Sequence, residues 1–184
     1  MEYIDKLINK SKKAQNKIKE KNQKFLNKLT IAAAWSIYKD ENAKLLAGMA
    51  VADTGLGNVT DKIKKNKNKI IGSLSDILNT KTRGTIIDDK TKGIKVLAKP
   101  IGVIASLTPS TNAAATPANH IMFALKCGNS IIISPSPKAQ RTVIKLVKLV
   151  RRNLVKLKAP ADLVQCVSIK NSLEITKDLS SKAD

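Results

Sequence analysis

A chain of 184 residues is long enough for one domain with a core of its own, or a domain plus an extension, and it carries 34 Lys and Arg against 14 Asp and Glu, a formal charge of +20. One His and two widely spaced cysteines, Cys127 and Cys166, exclude a zinc-type ligand set and a secreted disulfide framework; the opening MEYIDKLINKSKK lacks a signal-peptide core and no apolar run reaches membrane-spanning length, so a cytoplasmic protein with no membrane partner and no metal is expected. Such basicity attracts nucleic acid, but with 3% aromatic residues the lysines have no stacking rings among them, and they read as solvated helix faces.

Residues 1–29 place Ile4, Leu7, Ile8, Ala14, Ile18, Phe25, Leu26 and Leu29 at near-helical spacing, which predicts one or two amphipathic helices. Thr30 to Ala52 is Ala-rich, with Asp40-Glu-Asn between two apolar parts, and reads as two helices or one with a break; Asp53-Thr-Gly-Leu-Gly57 stops it because glycine accepts the left-handed conformation at a helix end. The two glycines do not make a phosphate loop, since no strand precedes them and their spacing matches neither nucleotide fingerprint. Val59 to Asn79 resumes as a helix, with its densest charge run at Lys64, Lys65, Lys67 and Lys69. Thr80 to Gly93 reads as polar turn, and Ile94 to Ala98 as a short strand leading into Lys99-Pro100.

From Ile101 the pattern changes. An apolar run to Leu107, an Ala-rich helical segment ending at Gly128 and a second apolar run from Ser130 to Ile133 are the signature of a βαβ unit. Val143, Leu146, Val147, Val150, Leu154 and Leu157 then form a one-sided helix. Leu163 to Val167 follows as a third buried strand, and Asn171 to Ala183 as another helix. The fold class expected is α/β, the first half of a doubly wound parallel sheet preceded by an α-helical region, divided as 1–93 and 94–184.

In open α/β sheets ligands bind at the carboxyl ends of the strands. The two turns there are Thr108-Pro-Ser-Thr-Asn112 and Ser134-Pro-Ser-Pro-Lys138. Together with Leu46 to Gly57, Asp61-Lys-Ile-Lys-Lys-Asn66 and Ala159-Pro-Ala-Asp-Leu-Val-Gln165, they resemble the aldehyde dehydrogenase superfamily and, within it, the CoA-acylating branch of acetaldehyde and sulfoacetaldehyde type. The resemblance implies a Rossmann-like nucleotide-binding region at 94–184, NAD or NADP as cofactor, coenzyme A as co-substrate and a small aldehyde as substrate. Such enzymes are two to three domain-lengths long, so an amino-terminal portion is expected, completed by a second chain or assembled as a homo-oligomer, in the cytoplasm or in a bacterial microcompartment. Amino-terminal helices are encapsulation signals in microcompartment relatives; here the helix runs straight into the family-like region and is expected to pack on the body.

The resemblance also assigns roles. Asn112 matches the family's oxyanion-stabilising Asn, since acyl transfer needs a preorganised amide donor at its tetrahedral stage; the alternative is a helix cap. Leu107, Thr108, Pro109, Ser134, Pro135, Ser136 and Lys138 are expected to contact the adenosine and ribose end of a dinucleotide. Ser134 replaces the Lys of non-acylating relatives, Ser136 the His of many acylating ones, and Ala113 the usual Pro. The family's nucleophilic thiolate, which attacks the aldehyde before hydride transfer and release to CoA, has no counterpart here. Cys127 and Cys166 both read as packing residues, and His120 as a packed rather than catalytic imidazole. The competing functional class is a non-catalytic remnant or a basic module that contacts nucleic acid.

Overall fold

A computed structural model describes residues 2–170 and 172–184, in which four helices come first: α1 (Glu2–Ile18), α2 (Gln23–Tyr38), α3 (Asp40–Thr54) and α4 (Val59–Leu78). Side-chain caps set two of the starts, because Asn22 accepts from the Phe25 N–H and Asn58 from the Asp61 N–H. Gly55, at φ 68°, closes α3. Residues 19–22 separate the first two helices, the two-helix alternative that the spacing of residues 1–29 allows, and α2 runs on past residue 29 to Tyr38. Leu26, Leu29, Thr30, Ala33, Ala34 and Ile37 form one buried stripe along α2, so burial carries the helix through that point.

Next comes a segment whose expectation needs correcting. Thr80 to Gly93 is not all turn: β1 (Gly84–Asp89) pairs antiparallel with β2 (Ile94–Ala98) as a separate two-stranded sheet. Asp89 makes the turn by accepting from the N–H groups of Thr91 and Lys92, and Gly93 supplies the positive φ of 64°. Neither strand has a buried residue, so no alternation marked β1 in the sequence.

The main sheet is parallel in the order β3 (Val103–Thr108), β4 (Ser130–Pro135), β5 (Val164–Cys166). Its crossovers are α5 (Ala115–Lys126) and α6 (Gln140–Lys156), and α7 (Leu173–Lys182) follows β5. Every residue of β4 is buried, which explains its unbroken apolar run: a central strand meets protein on both faces. Ile131 and Ile133 point into a core shared with α2, α3, α4, α5 and α6, and Ile132 into a second core with Ile4 and Ile8 of α1, Val103 and Leu179 of α7. The larger core includes residues from both sides of the 93/94 boundary. Helix α1 is docked rather than trailing. Its Ser11 hydroxyl and Leu7 carbonyl accept from the amide of Gln165 on β5, at 2.7 and 2.8 Å.

Two buried polar contacts tie the helical layer to the sheet layer. Lys126, 2% exposed, donates from Nζ to Asn27 Oδ1 (2.6 Å) and to the Leu78 carbonyl at the end of α4 (2.7 Å), where a cation complements the helix dipole. Asp53 reaches from the end of α3 to accept from both the N–H and the hydroxyl of Thr142, at 3.0 and 2.8 Å. Among the described residues no helix is long and apolar enough to cross a membrane.

Candidate functional site

Parallel pairing aligns Leu107 with Ser134 and Thr108 with Pro135, so β3 and β4 end level. The Ser136 N–H donates to the Thr108 carbonyl at 2.9 Å and locks the two strand-end turns together. In front of them lies a cavity of about 530 Å³. Six of the seven residues assigned to a dinucleotide line it: Leu107, Thr108, Pro109, Ser134, Pro135 and Ser136. Lys138 does not. It sits in the single 3-10 turn Pro137–Ala139 that leads into α6.

The far wall is one that sequence reasoning missed. Ser172, Leu173 and Thr176 come from the first turns of α7, and Thr176 Oγ1 lies 3.1 Å from Ser134 Oγ. Ser172 caps α7 by accepting from the Ile175 N–H. Only the tertiary packing of α7 brings these residues to the end of β4. The lining holds no ionisable side chain; it combines five hydroxyls with proline and leucine walls. Thr108 Oγ1 is buried and, among the described residues, has no hydrogen-bond partner; it lies behind the cavity wall and offers no surface to it. Neutral hydroxyls between apolar walls suit a purine and its ribose.

Asn112 lies half-buried in the turn between β3 and α5, over buried Ala113 and Ala114. It caps nothing: α5 begins at Ala115 with Ala114 at its cap position and no side-chain cap. The turn is braced from α4, where Lys62 Nζ approaches the Thr111 carbonyl at 3.4 Å. Burial, then the charge of Lys65, pulls the Lys62 pKa down. Lys62 is a fourth residue that the sequence did not single out for this site, although it belongs to the Asp61-Lys-Ile-Lys-Lys-Asn66 motif.

No described thiol is poised to react. Cys127 ends α5, and burial raises its pKa despite the opposing charge of Lys126; Cys166, inside β5, is pushed by burial up to about 12. His120 Nδ1 lies 2.8 Å from Ser106 Oγ on the neighbouring strand, and burial lowers its pKa and favours the neutral ring. Among the described residues no group of three or more His, Cys, Asp or Glu is placed to hold a metal ion.

Comparison with known proteins adds an independent line. The model of the aldehyde dehydrogenase family matches residues 1–184. The chain is 43% identical over 183 residues to the acylating sulfoacetaldehyde dehydrogenase of Cupriavidus necator, covering 100% of this chain and 37% of that enzyme. Among solved structures it is similar to an acetylating aldehyde dehydrogenase from Geobacillus thermoglucosidasius, with a TM-score of 0.91 and 29% identity over 97% of this chain and 39% of that one. It is also similar to an engineered glycolyl-CoA reductase with bound NADP+, with a TM-score of 0.79 and 27% identity over 95% of this chain and 38% of that one. The chain thus spans less than two fifths of the length of each of these proteins.

Proposed function

The chain belongs to the aldehyde dehydrogenase family, and from that premise we propose that it supplies the dinucleotide-binding part of a CoA-acylating enzyme, which converts an aldehyde, CoA and NAD(P)+ into an acyl-CoA and NAD(P)H. The observation that carries this reading is the cavity at the ends of β3 and β4, whose lining combines hydroxyls with apolar walls and holds no ionisable side chain. In it Leu107, Pro109 and Leu173 would flank the adenine, the hydroxyls of Ser134, Ser136 and Thr176 would hydrogen-bond the sugar, and Thr108 would close the wall behind it. A dinucleotide held there would supply a nicotinamide ring to take up the hydride lost from the aldehyde carbon as it is oxidised. Asn112 donates its side-chain amide to the oxygen that gains charge during acyl transfer, and a donor of this kind contributes roughly 10²–10³ in kcat. Lys62, with Nζ 3.4 Å from the Thr111 carbonyl, supports the turn that carries Asn112. The reactive thiol comes from outside the 184 residues, since both cysteines within them are held protonated by burial.

Calorimetric titration of the chain with NAD+ and NADP+ tests the reading. Binding of either cofactor is expected, and Thr176→Trp, which fills the cavity from α7, should abolish it while the thermal melt stays cooperative. Absence of binding to the unmodified chain, or unchanged binding by the Trp variant, would sink the assignment. The chain alone should form no NAD(P)H from acetaldehyde or sulfoacetaldehyde with CoA.

A further inference from the structure

Far from the strand ends, α2 and the last turns of α6 enclose a groove of about 600 Å³. Its most conspicuous member is Trp35, the only tryptophan in the chain, which is 53% exposed. Ile31, one turn earlier on α2, and Val155 of α6 are also exposed, at 44% and 58%. Large apolar side chains clustered on a surface mark contact sites, and tryptophan is the residue most enriched at their energetic centres. The floor is rigid before any partner arrives. Asn153 donates to Ser36 Oγ at 2.9 Å, and Asn42 to the Ser36 carbonyl at 2.9 Å, pinning α6 and α3 to α2.

The groove is also charged, with one sign. Lys39 and Arg151 line it and are already matched, to Glu41 at 2.6 Å and Asp162 at 2.7 Å. Arg152 and Lys156 line it as well, and among the described residues neither has a carboxylate partner. No acidic residue is part of the lining. The same groove of a second copy is a poor occupant, because a self-complementary contact would set Arg152 and Lys156 against their own like charges. Single-stranded nucleic acid wants successive stacking rings, and the lining holds a single ring, Trp35, whose neighbour Tyr38 lies outside it with its plane tilted by 35°.

We propose that this groove docks an amphipathic helix with acidic flanks, carried by a partner protein. Its apolar face covers Trp35, Ile31 and Val155 at i, i+3/i+4 and i+7 spacing, and its carboxylates meet Arg152 and Lys156. The site is separate from the strand-end cavity and independent of the nucleotide reading.

The sole tryptophan makes the test direct. The probe is a designed peptide of roughly 18 residues, five helical turns, with Leu on one face and Glu elsewhere, and the control is its scrambled isomer of equal charge. Near physiological ionic strength, where exposed charges are screened within about 8 Å, the ordered peptide should shift Trp35 emission to the blue and bind at least about tenfold tighter than the scramble. Read by anisotropy of labelled peptide, Trp35→Ala and the pair Arg152→Glu/Lys156→Glu should each weaken binding at least about tenfold. The pair Lys13→Glu/Lys17→Glu, an equal charge change on α1, should change it less than about twofold. Equal binding of the scramble, equal loss in the α1 control, unmoved Trp35 emission, or a stronger response to an oligothymidylate or to anionic vesicles would each overturn the proposal.

Discussion

Asp53 caps a helix 89 residues away in the chain, and its two bonds to Thr142 satisfy donors at the start of α6 that have no partner within that helix. Asp53→Ala should therefore cost about 1–2 kcal/mol in urea unfolding, and Asp53→Asn, which keeps an acceptor, clearly less. Cys166 sets a limit on alkaline stability. Its pKa rises from 9.0 in the unfolded chain to about 12 in the fold, so above pH 9 the unfolded state sheds a proton that the native state keeps. This contribution to stability is complete below pH 9 and declines as pH climbs toward 12; iodoacetamide should leave Cys166 unlabelled at pH 8 in native buffer and label it in denaturant. At this scale the sequence was informative where function depends on strand ends. The turns at Thr108 and Ser134 point to the cavity because a parallel strand must deliver its last residues to one edge. Thr176 and Asp53 left no such trace, since each acts on a residue of another element and nothing in its own neighbourhood announces the meeting; Ser172 and Leu173 reach the cavity only through the packing of α7.

The elements divide in the same way. Helix α6 and strand β4 were legible because burial on one face or on both writes a period into the sequence. The β1–β2 hairpin was half-hidden because it is wet on both faces. Ile86, Ile87, Ile94 and Leu97 are each about half exposed, and two strands without a covering layer are marginal in water. Native-state hydrogen exchange should show it: the amides of Ile87 and Val96 should exchange orders of magnitude faster than those of Ile131 to Ile133. Equal protection in the two sheets would mean that the hairpin is covered in solution. The division of residues 1–29 stayed open between one helix and two because the apolar spacing runs on through the connection, and the buried stripe of α2 continues past Thr30.

At the scale of the whole molecule the charge of +20 is spread over exposed lysines. Binding to random duplex DNA should accordingly be weak, about 10⁻⁴–10⁻⁶ M at physiological salt, and fall steeply between about 50 and 200 mM salt as counterion release loses its force. Tight binding kept at the higher salt in an anisotropy titration would instead indicate a dedicated nucleic-acid surface. That diffuse coat also gives special meaning to Lys126, the one lysine buried among the described residues. An amine-acylating reagent added to the native protein will mark its neighbours within seconds, whereas Lys126 can be marked only when α2, α4 and α5 separate. The extent of its acylation, read by mass spectrometry against time, is thus a clock for opening of the core, carried by the chain itself and needing no engineered probe.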